Sequence, residues 1–164
     1  MAILQIVRFP DPRLRAAAEP VAHFDADLKQ LADDLLETMR AAPGVGITAP
    51  HVGVPKRLVV LELSPGEVRT FVNPKLLWSS PETTPATEGS VSMPGVTEEI
   101  ERAASVRVSY QDLSGAEHSQ EADGFLAVCH QHEIDQLDGI FWLQRLSRLK
   151  RERVIARYGK LRRG

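Results

Sequence analysis

The 164-residue chain has little cysteine, few aromatic residues and no long apolar run. Its single cysteine, Cys129, excludes an internal disulfide and favours a reducing compartment. No apolar stretch approaches the roughly 20 residues that a membrane-spanning helix needs. The first residues also lack the apolar region of a secretory signal. We therefore expect a cytoplasmic protein that has no membrane partner.

Charge is distributed unevenly along the chain, although the formal net charge is only −2. Residues 145–164 hold nine Lys or Arg and one acid, whereas residues 1–144 hold 11 bases and 21 acids. Such a basic run is usually a solvated helix face, but it also suits the phosphates of RNA. We expect one domain over residues 1–164 that ends in a basic helix over 145–164. Contact of that helix with RNA or the ribosome is the alternative to a merely solvated face.

Apolar periodicity and turn residues predict the main elements. The pattern after Asp25 indicates a first helix, which Pro43–Gly44 ends. Residues 57–63 predict a buried strand, residues 68–78 a strand broken at Asn73–Pro74, and residues 99–122 a hairpin that turns at 112–115. Strands that lie between helices in this way favour an α+β domain with a largely antiparallel sheet.

Two more helices follow the predicted hairpin. The first runs from Asp123 to about Leu137, and Gly139 closes it. The second is the basic helix, over residues 147–163. Its narrow apolar side is predicted to comprise Leu146, Leu149, Val154 and Tyr158.

The stretch CHQHEIDQLDG (129–139) lies on the predicted helix that Gly139 closes. His132 and Gln136 are four positions apart, so they share a helix face, with Glu133 beside it and Cys129 one turn earlier. In metallohydrolases a second histidine stands where Gln136 stands here. By itself this pattern is weak evidence, because four-residue patterns recur by chance and the simpler interpretation is a hydrogen-bonded histidine.

Two further stretches strengthen the pattern: GVGITAPHVG (44–53) and EGSVSMPG (88–95). With QHEIDQLDG they resemble the three motifs of the peptide deformylase family, GxGxAAxQ, EGCxS and QHExDHxxG, in the same order and at similar separations. The flanking FPDPRLRAAAEPV, FVNPKLL and GIFWLQRL extend the resemblance over essentially the whole chain. The resemblance implies a peptide deformylase-like fold, with mostly antiparallel sheets around a central motif-bearing helix and a C-terminal helix.

The family's chemistry is hydrolytic removal of the formyl group from N-formyl-methionine of nascent chains. In the family, the motif cysteine and two histidines hold a divalent metal, usually Fe²⁺, together with a water. A glutamate acts as general base. The first-motif glutamine and the main-chain N–H after the motif cysteine stabilise the oxyanion.

The resemblance places each role on a residue of this chain. The catalytic positions are Glu133 for the base, the N–H of Val91, and His51 in place of the oxyanion glutamine. The metal positions are His132, Ser90 and Gln136, of which only His132 is a family ligand. The expected substrate pocket comprises Gly44, Val45, Gly46, Glu88, Gly89, Ser90, Val91 and His132.

Neither a serine hydroxyl nor a carboxamide replaces thiolate or imidazole as a transition-metal ligand. We therefore expect no metal cofactor in the standard site, and deformylation that is lost or weak. The pocket is expected to bind an N-terminal peptide or a formyl-methionyl-like ligand.

Two alternatives keep an enzyme. In the first, His51 and His132 with Cys129 or Gln136 hold one divalent ion (Fe, Zn or Ni) in a rearranged site, and Glu133 activates its water. In the second, Ser90 acts without a metal as a nucleophile beside His132.

Overall fold

The computed structural model describes residues 2–163. Helix α1, Ala26–Ala41, begins as predicted at Asp25, whose carboxylate accepts the Leu28 N–H at 3.0 Å. The helix ends just before Pro43. Its buried face, which includes Leu28, Leu35 and Met39, packs on the apolar side of the main sheet.

Within residues 2–163, seven strands lie between α1 and the second helix: β1 Gly46–Thr48, β2 Leu58–Glu62, β3 Val68–Ser79, β4 Thr83–Ser90, β5 Met93–Ala103, β6 Ser105–Gln111 and β7 Glu117–Asp123. Five form one sheet in the order β1-β2-β3-β6-β7, and β4 and β5 form a second sheet. Every neighbouring pair is antiparallel, so the predicted α+β class with antiparallel sheets is confirmed.

The predicted break at Asn73–Pro74 is a bulge inside a continuous β3. Asn73 has a φ of 51°, and the register to β6 shifts between Val72 and Lys75. The Asn73 side chain accepts the Val21 N–H at 2.8 Å and donates to the Val21 carbonyl at 3.0 Å. These bonds attach the N-terminal segment to β3 at the position where its pairing with β6 is irregular. They stabilise the bulge, and the strand continues through it.

The predicted hairpin over 99–122 is only half right. Residues 99–103 belong to β5 and pair with β4, and the chain changes sheets at Ala104. Only β6 and β7 form the hairpin, around the predicted turn at 112–115. The sequence pattern shows no break here because both strands continue with similar alternation across Ala104.

Helix α2, Gly124–Leu137, carries the third motif through the centre of the molecule. Gly139, with a φ of 80°, closes it as predicted. A side chain at Gly139 would lie 2.8 Å from the carbonyl oxygen of Arg15, so the chain passes too closely there for any other residue. One side of α2 packs through Ala127 and Ile134 against β6, which fixes the motif residues relative to both sheets.

Helix α3, Arg148–Arg163, packs on the second sheet. Val154 and Tyr158 are buried in a cluster with Met93 and Ile100 of β5. The prediction that Leu149 belongs to the apolar side is wrong, because this side chain is 64% exposed. Leu149 lies five positions before Val154, about 140° away around the helix, so it cannot share that narrow stripe.

Leu146, also predicted for this side, is buried just before α3 begins. Two basic side chains of α3 are engaged with β5: Lys150 donates to the Glu99 carbonyl at 3.1 Å and Arg157 to the Thr97 carbonyl at 3.0 Å. Contact of the remaining basic face with RNA stays a prediction. None of the helices within residues 2–163 is both long and apolar enough to cross a membrane.

Truncation of Leu35 tests the position of the main core. Leu35 is fully buried at 0% exposure, so Leu35→Ala should lower the free energy of unfolding by about 2–5 kcal/mol. Urea denaturation followed by circular dichroism measures this loss. The exposed Leu149→Ala is the matched control and should change stability by no more than about 0.5 kcal/mol. Equal losses in the two variants would contradict this placement of the core.

Candidate active site

The three motifs meet around one cavity of about 440 Å³. Its wall combines the β1 segment, the end of β4 with its turn, and one face of α2. The wall includes every residue expected in the pocket: Gly44, Val45, Gly46, Glu88, Gly89, Ser90, Val91 and His132. His51, Cys129 and Glu133 also contribute to it, whereas Gln136 does not. The exposed side chains of Val45 and Phe125 mark its mouth.

The two glycines of the first motif allow close approach between these segments. A side chain at Gly44 would lie 2.8 Å from Cγ1 of Val91, in the turn after β4. One at Gly46 would lie 2.9 Å from Cδ2 of Leu61 and 3.0 Å from Oε2 of Glu133. The absence of a side chain at Gly46 therefore lets β1 approach the Glu133 carboxylate, and its absence at Gly44 lets the chain before β1 approach the turn after β4.

A buried ionic network supports the cavity from behind. The Glu88 carboxylate accepts hydrogen bonds from Nδ1 of His132 at 2.7 Å and from Nε and Nη2 of Arg102 at 2.7 and 2.9 Å. Nη1 of Arg102 donates to Asp135 at 2.7 Å, and Arg145 donates to Asp135 at 3.0 and 2.8 Å. Two arginines thus balance two carboxylates, and the network fixes the orientation of the His132 ring.

The network also holds Glu88 in its charged form. Burial alone would raise the pKa of Glu88, but Arg102 and His132 outweigh it and hold that pKa at about 2. Sequence reasoning did not identify Arg102 or Arg145. The acids of the motifs could have indicated that such arginines exist, because carboxylates on buried elements require cationic partners. Nothing in the linear sequence shows which of the many arginines supplies them.

Glu133 is 3% exposed, and neither of its carboxylate oxygens has a hydrogen-bond partner within residues 2–163. Nε2 of His132 lies 3.6 Å from Oε1, which is beyond hydrogen-bond distance. Burial raises the pKa of Glu133 to about 6, although the nearby His132 opposes the shift. Burial disfavours the charged form of His132, but Glu133 and Glu88 outweigh that effect and raise its pKa.

His51 presents a hydrogen-bond donor rather than a lone pair. The main-chain N–H of Thr48 donates to Nδ1 at 2.9 Å, so the neutral ring carries its proton on Nε2. Burial, helped by the charge on His132, lowers the pKa of His51 to about 3 and keeps the ring neutral. Nε2 is buried and has no partner among the described residues.

Ser90 and Gln136, at the two ligand positions that the sequence predicts to be substituted, are bonded to the main chain. Oγ of Ser90 accepts the Ser92 N–H at 3.1 Å. Nε2 of Gln136 donates to the Leu14 carbonyl at 2.7 Å. In the described part of the chain no hydrogen bond joins Ser90 to His132, so the geometry of a serine nucleophile and its base is not formed.

Cys129 lines the cavity as a buried thiol. Burial, reinforced by the charges on Glu133 and Glu88, raises its pKa to about 12 and disfavours the thiolate that binds metals. Among residues 2–163, no three His, Cys, Asp or Glu side chains are grouped so that they could hold a metal ion.

The fold and the site together define a small α+β domain of a hydrolase family, in which a central helix presents a His-Glu pair to a cavity. Comparison with known proteins identifies that family. The polypeptide deformylase family model matches residues 3–152. The chain belongs to the polypeptide deformylase family, whose members normally use a divalent metal.

Relatives cover almost the whole chain. A "Peptide deformylase-like" protein of Brucella melitensis is 63% identical over 99% of this chain and 100% of its own length. Rhizobium meliloti has a protein of that name, 58% identical over 99% of this chain and 95% of its own. It also has a "Peptide deformylase", 46% identical over 98% of this chain and 94% of its own. The crystal structure of a peptide deformylase from Legionella pneumophila superposes with a TM-score of 0.93 at 38% identity, covering 99% of this chain and 96% of that one.

Removing the central cation of the ionic network should strongly destabilise the protein. Arg102→Met keeps most of the side-chain volume but leaves Glu88 and Asp135 without their shared buried partner. We expect the free energy of unfolding to fall by about 3–5 kcal/mol in urea denaturation. The control Arg107→Met breaks the exposed pair with Glu121 and should lose no more than about 1 kcal/mol. A loss that small for Arg102→Met would show that the network does not stabilise the fold.

Proposed function

We propose that this chain is a peptide-binding member of the family that has lost standard metal-dependent deformylation. The observation that carries the proposal is the hydrogen bonding of the side chains at the two substituted ligand positions. Ser90 accepts a main-chain N–H, and Gln136 donates to a main-chain carbonyl away from the cavity. His132 is then the only family ligand, and one imidazole does not make a three-ligand metal centre.

The rearranged metal site has little geometric support. A backbone N–H can only donate, so the Thr48 N–H occupies the Nδ1 lone pair of His51 and leaves the proton on Nε2. His51 therefore offers a metal no free lone pair, and Gln136 is absent from the cavity wall. Cys129 and His132 alone do not complete a site. The residues present do not fit the family's metal.

The cavity nevertheless suits a peptide N-terminus. Apolar side chains in its wall, such as Val45, Leu61 and Val128, suit an apolar side chain such as that of methionine. The wall also includes two buried polar side chains, those of Glu133 and His51. In Rhizobium meliloti a protein named as a deformylase accompanies one named deformylase-like, which supports a separate role for the second kind.

Metal content and activity measured on one preparation test this function. We expect protein produced with Fe²⁺, Zn²⁺ or Ni²⁺ in the medium to contain far less than one metal ion per chain. The same protein should release no formate from formyl-Met-Ala-Ser above the rate of a heat-denatured sample. A family member with an intact ligand set is the positive control. Stoichiometric metal together with turnover would refute the loss of the metal centre.

Restoring both ligands should rebuild the centre if the scaffold is otherwise intact. We expect the double variant Ser90→Cys with Gln136→His to bind about one divalent ion per chain and to deformylate formyl-Met-Ala-Ser. Each single variant should stay well below the double variant in both measurements, because each still lacks a ligand. If the folded double variant binds no metal, the ligand substitutions are not a sufficient cause of the loss. Adding His51→Gln then tests whether the first motif contributes.

A further inference from the structure

Two buried polar groups of opposite kind in the cavity wall have no hydrogen-bond partner among residues 2–163. The Glu133 carboxylate offers two acceptor oxygens, and Nε2 of His51 offers a donor. The two residues are only 3% and 1% exposed, and both belong to the cavity wall. Buried polar groups are nearly always satisfied, so an acceptor and a donor left open in one cavity indicate a ligand that satisfies both.

The Glu133 carboxylate lacks hydrogen bonds rather than a neighbouring charge. Arg102 and Arg145 compensate Glu88 and Asp135, and His132 is the cation nearest to Glu133. The bond to Glu88 holds the His132 ring, however, and leaves Nε2 3.6 Å from Oε1, so this ion pair supplies no hydrogen bond. A carboxylate in this environment is best satisfied by a group that donates several charge-assisted hydrogen bonds. An ammonium group, with three donors, has this property.

The donor on His51 adds a second requirement, an acceptor atom on the ligand. The Thr48 main-chain N–H donates to Nδ1 of His51 and so leaves the ring proton on Nε2. The Nε2–H group suits a carbonyl oxygen as its acceptor. An ammonium group, a carbonyl one carbon away and an apolar side chain between them are together the N-terminal residue of a peptide. A lysine side chain also carries an ammonium group, but it has no carbonyl at that distance.

We propose that the cavity binds the free α-ammonium group of a peptide N-terminus through Glu133, with His51 donating to the first carbonyl oxygen. This inference rests on the proposed peptide-binding function and names its ligand class. Formylation replaces the charged group by a neutral amide with one N–H and adds bulk. The protein therefore distinguishes deformylated from formylated N-termini, in favour of the deformylated form.

Isothermal titration calorimetry of the full-length chain with Met-Ala-Ser and formyl-Met-Ala-Ser tests the preference. Metal content is measured on the same sample. We expect the free peptide to bind at least about tenfold more tightly, because a charge-assisted hydrogen bond is lost on formylation. Glu133→Gln should remove most of that difference. The control Glu121→Gln changes an exposed carboxylate and should preserve the difference.

Two further peptides keep the test decisive if Glu133→Gln fails to fold. The first, 4-methylthiobutanoyl-Ala-Ser, lacks only the amine of Met-Ala-Ser and should bind the unaltered protein at least about tenfold more weakly. The second, acetyl-Lys-Ala-Ser, carries its ammonium on a side chain and should bind as weakly. Equal affinity of either peptide with Met-Ala-Ser would overturn recognition of the α-ammonium group.

The outcomes separate this inference from the function on which it rests. Equal or tighter binding of the formylated peptide would overturn the inference and leave a peptide-binding pocket. If no peptide binds at millimolar concentration, the proposed function itself fails.

Discussion

The guanidinium of Arg102 holds two buried carboxylates from different elements, and through them the parts of the site. Glu88 belongs to the end of β4 and Asp135 to α2, while Arg102 itself lies near the end of β5. Arg145, just before α3, donates to the same Asp135. The small sheet, the central helix and the segment leading to the C-terminal helix are therefore joined by one charge network. Each buried charge requires the others, which couples these elements more specifically than apolar packing does.

The network includes His132 and Glu88 but not Ser90 or Gln136. Glu88 orients the His132 ring through Nδ1, and Nε2 then lies 3.6 Å from the Glu133 carboxylate. Ser90 and Gln136, at the predicted ligand positions, lie outside this network and bond to the main chain instead. Replacement of either side chain would therefore leave the ion pairs that join the helix and the sheets intact. The TM-score of 0.93 to the deformylase of Legionella pneumophila agrees with this view.

The sequence predicts the parts of the fold that depend on local pattern. Helix caps at Asp25 and Gly139, the turn at 112–115 and the strand over 57–63 all follow from residue types a few positions apart. The features it does not predict depend on distant partners. Asn73 continues its strand because its side chain bonds Val21, and Gln136 turns toward Leu14 across 122 positions of sequence. The motif resemblance predicts which positions bear the site, but not the main-chain groups to which their side chains bond.

The cavity wall combines one buried donor with one buried acceptor. The neutral imidazole of His51 can only donate at Nε2, and no group among residues 2–163 donates a hydrogen bond to the Glu133 carboxylate. The most economical way to satisfy both groups is a ligand that brings its own positive charge and its own carbonyl. A deformylated peptide N-terminus is such a ligand, so loss of the metal would turn a site that removes formyl groups into one that recognises their removal.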